Sequence, residues 1–111
     1  MSNLEKIYLL EKLSSHNLKI ISYFQGDLTK YKLLLLVIKN YYEKKYPTLE
    51  EIIEILPKNI SSRAHKINCI SDAAAKTYLI KEALNSDQRK KILTPSDELI
   101  EEFSEFIKLI K

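Results

Sequence analysis

A chain of 111 residues that is 45% hydrophobic and 30% charged can bury a core as one domain, which excludes a disordered or low-complexity polypeptide. Its net charge of +3 is unevenly spread: residues 1–60 hold nine basic and seven acidic groups, 61–91 seven and three, and 92–111 two and five. One cysteine, Cys69, excludes an internal disulfide and any multi-cysteine metal motif, so no metal or other cofactor is expected.

The first residues carry Glu5, Lys6, Glu11 and Lys12, too much charge for a secretory signal, and the longest apolar run, Leu33 to Ile38, is too short to span a bilayer. The expectation is a soluble cytoplasmic protein with no membrane partner. Leu4, Ile7, Leu10 and Leu13 recur at three-residue steps and predict a short amphipathic helix from Asn3 to Leu13. Leu18 to Phe24 reads as a second helix ended by Gly26-Asp27, closing an N-terminal segment over 1–26. A third helix is expected from Asp27 or Thr29 to Lys45, apolar on nearly every side at its centre and therefore surrounded by others. Tyr41, Tyr42 and Tyr46 follow it, and amphipathic tyrosines rimming a core are favoured there over a base-stacking platform.

Pro47 stops that helix and Thr48 opens the next, with Thr48 and Glu51 spaced as a capping box. Pro57-Lys58-Asn59 ends it, Asn59 being a residue type that tolerates left-handed backbone in a tight turn. A helix over 61–76 comes next. Its wheel places Ile60, Ala64, Ile67, Ser71 and Ala74 on the interior side, and Ser62, His65, Cys69 and Lys76, flanked by Ser61, Lys66, Asn68 and Asp72, on the open side. Tyr78 to Leu84 and Arg89 to Leu93 then read as a hairpin around Asn85-Ser86-Asp87-Gln88, with Arg89, Lys90 and Lys91 beside the turn. Thr94 as cap and Pro95 at the first position start a final helix over 95–111, striped by Leu99, Phe103, Phe106, Ile107 and Ile110 and acidic on its far side at Glu98, Glu101, Glu102 and Glu105.

Two short helices around a tight turn, backed by a basic hairpin, make a mainly α winged helix-turn-helix over 27–94 with flanking N- and C-terminal helices, all in a single domain. The segments T-L-E-E-I-I-E-I-L, I-S-S-R-A-H-K-I-N-C-I, D-Q-R-K-K-I and L-T-P-S-D-E-L resemble the MarR-type winged-helix transcriptional regulators, with that family's D-x-R at the wing and its L-T step before the helix that follows. The resemblance covers about half of the chain and implies that Ser61 to Asp72 reads DNA and that Asp87 and Arg89 form the wing pair, Arg89 reaching a minor groove or a phosphate. Thr77 stands where that family usually has glycine, and the chain is shorter than typical members.

Sixteen of the eighteen basic residues are lysine, and the two arginines, Arg63 and Arg89, fall in the reading helix and at the wing. Guanidinium presents a planar fork to phosphate or guanine that an ammonium cannot imitate. Arg63 lies at the edge of the interior side, which assigns it to a phosphate or to a structural ion pair before base readout. Lys66, Lys90 and Lys91 are expected on the DNA backbone, and Ser62, His65, Asn68 and Cys69 on base edges. Cys69 on an open face would be either a redox switch or incidental. The C-terminal stripe serves either a homodimer through the terminal helices or packing onto residues 4–24.

Catalysis is not expected. Neither a nucleophile elbow nor a glycine-rich turn is present, and a chain with one glycine has no phosphate-cradling loop. The sequence therefore predicts a sequence-specific duplex-DNA-binding transcriptional regulator, the alternative being a winged helix used only for protein contacts.

Overall fold

The computed structural model describes residues 2–15, 18–84 and 87–109; within these, the side chains of 12–15, 84 and 87–89 lie outside the described set. Six helices and one hairpin follow in the order α1 (Asn3–Ser15), α2 (Lys19–Gln25), α3 (Leu28–Tyr42), α4 (Leu49–Ile55), α5 (Arg63–Ala75), β1 (Leu79–Leu84), β2 (Asp87–Pro95) and α6 (Asp97–Lys108). Among the described residues no helix is long and apolar enough to cross a membrane.

The core is built from the apolar faces of α2 to α6. Phe24, Leu33, Leu34, Ile52 and Leu99 are fully enclosed, joined by Ile21, Val37, Ile70, Ala73, Leu79, Leu93 and Phe106. The central run of α3 is surrounded on most of its circumference rather than all of it: α2, α5 and β2 pack against the side carrying Leu33, Leu34, Val37 and Ile38, while Leu35 is 42% exposed. β1 and β2 are antiparallel, pairing Leu79 with Pro95 and Lys81 with Leu93, with an irregularity after Ala83. A lone bridge from Thr48 to Ile92 ties the start of α4 to the hairpin.

Local signals set the helix ends. Asp27 caps α3 by accepting from the amides of Thr29 and Lys30 at 2.8 and 3.1 Å. Thr48 and Glu51 form the anticipated capping box on α4. The cap of α6 is Ser96, which accepts from Leu99, while Thr94 and Pro95 remain in β2; the helix therefore starts two residues later than the Thr94-Pro95 pair suggests. α3 likewise ends before Pro47. Lys44 takes φ 59°, and the amides of Lys44 and Lys45 donate to the carbonyls of Tyr41 and Asn40, the double hydrogen bond of a Schellman motif. α5 ends in the same way: Thr77 takes φ 63°, and the amides of Thr77 and Tyr78 donate to Ala74 and Ala73. Among the described residues these two are the left-handed non-glycine positions, so the turn at Asn59 is made without one.

The N-cap position of α2 is Leu18, which offers no side-chain cap. Glu102 supplies one from α6, its Oε2 accepting from the Ile21 amide at 2.6 Å. The C-terminal stripe is largely consumed inside the chain, with Leu99 and Phe106 buried, Phe103 half-buried and α6 packed on α2. Ile107 stays exposed, and Ile110 lies outside the described residues. α1 behaves differently, since Leu4, Ile7, Tyr8 and Leu10 are 54–65% exposed.

Candidate nucleic-acid interface

α4, the turn over 56–62 and α5 form the helix-turn-helix, and its angle is held by a buried lysine. Lys66 is 3% exposed; its ammonium donates to the carbonyl of Leu56 at 2.8 Å and of Ile53 at 3.3 Å. Those carbonyls are among the last of α4, which have no partners within their own helix and carry the negative end of its dipole. The stem of Lys66 fills the space between the helices while its head caps one of them. Placing Lys66 on the DNA backbone is therefore incorrect.

The orientation of α5 also differs from the wheel. Lys66, Cys69, Ile70 and Ala73 face inward, whereas Ala64, Ile67, Asn68, Ser71 and Ala75 face out. The open side lies about a third of a turn from the one expected. The cause is chemical: a wheel weighted by aliphatic character draws Ala64 and Ile67 inward, but the true seam accepts a snorkelling lysine and a cysteine, one of the residue types most often buried. Cys69 is 2% exposed, so it faces no groove, and burial, then the Asp27 carboxylate, pushes its thiol pKa up, away from the reactivity a redox switch needs.

His65 turns toward α3. Its Nε2 lies 3.4 and 3.2 Å from Asp27 Oδ1 and Oδ2 and 3.6 Å from Cys69 Sγ. The Lys30 and Thr29 amides, and then His65, hold the Asp27 carboxyl below the usual carboxylate range. On the same flank the Tyr23 hydroxyl donates to Asp72, and burial together with that carboxylate raises the tyrosine pKa. Lys30 sits over the Tyr23 ring, 4.5 Å from its centroid. The side of α5 read as open thus abuts the start of α3.

At its N-terminus, α5 is capped by Ser62, which accepts from the His65 amide. A cavity of about 290 Å³ opens there, lined by Lys58, Ser61, Ser62, Arg63 and Lys66 among others, and the buried Ser61 hydroxyl has no hydrogen-bond partner. Arg63 is engaged instead with Glu50 of α4, at 2.7 and 2.9 Å, which raises its pKa and makes it the structural ion pair of the two roles considered. Between α4, α5 and the base of the wing, a shallow cavity of about 190 Å³ is lined by Leu49, Glu50, Ile53, Ile67, Ile70, Ser71 and Lys81. Lys81 thereby places the hairpin beside the outward face of α5. Lys90 and Lys91 are exposed farther along β2, and the side chains of Asp87 and Arg89 lie outside the described residues.

These elements, with the hairpin following α5 and bridged to α4, make a winged helix. The fold is shared with solved regulators. The chain is similar to the heme sensor protein PefR, with a TM-score of 0.57 and 18% identity over 97% of this chain and 69% of that one. It is similar to BpsR of Bordetella bronchiseptica, whose DNA binding is regulated by 6-hydroxynicotinic acid, with a TM-score of 0.51 and 15% identity over 93% and 71% of the two chains. It is also similar to the transcriptional regulator BldR of Sulfolobus solfataricus, with a TM-score of 0.52 and 13% identity over 99% and 80%. No family model and no curated protein sequence matches the chain.

Sequence reasoning missed three things here. The Asp27 contact to α5 carried no signal, because its two partners lie 38 and 42 positions away. The His65/Cys69 pair did, since residues four apart share a helix face. A lysine eleven residues beyond the end of a helix gives no local sign that it will cap it.

Proposed function

We propose that this chain is a transcriptional regulator that binds duplex DNA through α5 and the hairpin. The observation that carries the reading is the outward face of α5. Asn68 and Ser71 offer hydrogen-bonding groups, Ala64 and Ile67 offer small apolar contact, and a lysine-bearing wing stands alongside. Asparagine reads adenine and an alkyl side chain meets the thymine methyl in a major groove. In this reading Asn68 and Ser71 meet base edges and Ile67 a methyl group. Lys58, Ser62, Lys81, Lys90 and Lys91 meet the backbone, with Asp87 and Arg89 at the wing tip on phosphate or the minor groove. Ser61 stands outside that set, because its hydroxyl is buried and reaches no phosphate oxygen.

A homodimer belongs to the same proposal, with α1 as its main surface. A helix of 13 residues is marginal in water unless an apolar face is covered, and α1 leaves Leu4, Ile7, Tyr8 and Leu10 exposed. A two-fold dimer calls for a pseudo-palindromic target with half-sites about one helical turn apart. The resemblance to regulators of the MarR type and the likeness to PefR, BpsR and BldR support the regulator role.

One observation favours the second reading, a winged helix that contacts protein. The outward face of α5 is nearly uncharged, and α4 beside it carries Glu50, Glu51 and Glu54. Salt decides between them. A duplex binder that neutralises several phosphates loses affinity with a log-log slope of about −0.9 per contact as salt rises. Fragments retained by the purified protein at moderate salt, sequenced and then titrated, test the proposal; a flat salt dependence would favour the protein-contact reading.

A further inference from the structure

We propose that Asp27, His65 and Cys69 form a metal site, suited to zinc, that joins the start of α3 to α5. The three donor atoms, a carboxylate oxygen, Nε2 and Sγ, lie within 4.8 Å of one another. The arrangement is not a proton relay. In a Cys-His-Asp relay the thiol and the carboxylate use different ring nitrogens, whereas here Sγ and both Asp27 oxygens approach the same Nε2. Three donor atoms within 4.8 Å of one another can share one cation.

The spacings fit one ion in particular. Tetrahedral zinc, with bonds of about 2.0–2.1 Å to nitrogen and oxygen and about 2.3 Å to sulfur, holds N and O about 3.4 Å apart and N and S about 3.6 Å apart. The observed separations are 3.2–3.4 Å and 3.6 Å. The oxygen-to-sulfur edge lies within 4.8 Å. Asp27 is also held in place from behind, because its Oδ1 accepts from the amides of Thr29 and Lys30 while Oδ2 remains for the metal. His65 and Asp27 are partly exposed while Cys69 is buried, so water completes the fourth position from the open side. One thiolate, one imidazole and one carboxylate suit zinc better than magnesium or calcium, which take oxygen ligands.

The purified full chain, stripped with chelator under reducing conditions, is titrated with zinc against a chromogenic competitor and separately with cobalt(II) as a spectroscopic probe. The expected result is one zinc per chain and a cobalt complex showing thiolate-to-metal charge transfer with tetrahedral d–d bands. Cys69→Ser should abolish the charge-transfer band, and both it and His65→Ala should weaken zinc at least tenfold. Asp27→Asn, which can still cap α3, should weaken zinc while circular dichroism reports an unchanged fold. Zinc binding of equal strength in the Cys69→Ser/His65→Ala double variant, or a cobalt spectrum without thiolate character, overturns the site. A consequence rests on the DNA-binding reading: an ion that pins α5 to α3 changes affinity for a retained duplex, and Cys69→Ser loses that zinc response. Duplex affinity indifferent to zinc in a wild type that binds the metal overturns the consequence and leaves the site standing. Failure to bind any duplex overturns the DNA reading alone.

Discussion

Replacing Thr77 with glycine should stabilise the protein. Thr77 links α5 to β1 with φ 63°, a region where Cβ crowds the neighbouring carbonyl at a cost of roughly 1–2 kcal/mol for an L-residue and where a β-branched side chain is a true outlier. Its hydroxyl regains little, because it donates to the carbonyl of Lys76 at 2.6 Å on an exposed surface. Glycine removes the crowding and returns about 0.5–1 kcal/mol as extra freedom of the unfolded chain. The net gain is ~0.5–1 kcal/mol, a rise of about 2–6 °C in Tm for a domain of this size. The two Schellman hydrogen bonds, from Thr77 and Tyr78 to Ala74 and Ala73, use backbone atoms and survive the change. Thermal and urea unfolding followed by circular dichroism measure it, with Thr77→Ala as a control that keeps Cβ and should recover less than half of the gain. A Thr77→Gly protein no more stable than wild type, with an unchanged denaturant slope, would refute the assignment of strain to this position.

Lys66→Met should lower stability by about 2–4 kcal/mol, because the carbonyls of Ile53 and Leu56 lose their donor in a buried site; a loss below about 0.5 kcal/mol in urea unfolding would return Lys66 to the surface. Asn68→Ala should change preference among duplexes by about 1–3 kcal/mol at one base position, whereas Lys90→Ala with Lys91→Ala should weaken all duplexes alike and flatten the salt slope by about two contacts; an equal loss on every sequence for Asn68→Ala counts against it as a reader. Ile7→Glu should convert the dimer to a monomer in light scattering, and a wild type already monomeric at micromolar concentration removes the dimer. Tyr23 keeps its proton in the folded state beyond the range where an unfolded tyrosine loses it, so its contribution is full below pH ~10 and declines as pH rises further. Tyr23→Phe should therefore show a shallower loss of stability on the alkaline side, and an identical alkaline limb contradicts the Asp72 contact.

How far the sequence could be read follows from the range of each cause. The Thr48–Glu51 capping box, the largely buried centre of α3 and the hairpin behind α5 depend on residues a few positions apart, and periodicity or turn chemistry exposes them. Pro47 is the conspicuous stop signal after α3, while Lys44 stops the helix first by adopting a backbone that no residue code announces. Thr94-Pro95 has the residue types of a helix start, yet pairing with β1 holds Thr94 and Pro95 in the sheet. The face of α5 failed for a further reason: Ile67 looks more interior than Lys66 on any hydropathy scale. Only the arrival of the α4 carbonyls makes the lysine the better-buried residue. Arg63 was half legible, its ion-pair role anticipated but its partner on α4 not. The convergence of Asp27 on His65 and Cys69 depends on how α3 packs against α5, which no local pattern encodes.

The carboxylate of Glu102 on the amide of Ile21 has a consequence for how the molecule is made. The second helix cannot gain its cap until residue 102 has left the ribosome, so it waits, incompletely held, while some eighty further residues are made. Any shortening from the carboxyl end that reaches α6 would undo a helix encoded some eighty residues upstream. Mutations that weaken either end should consequently surface as the same defect, a poor yield of folded protein, whichever end they strike.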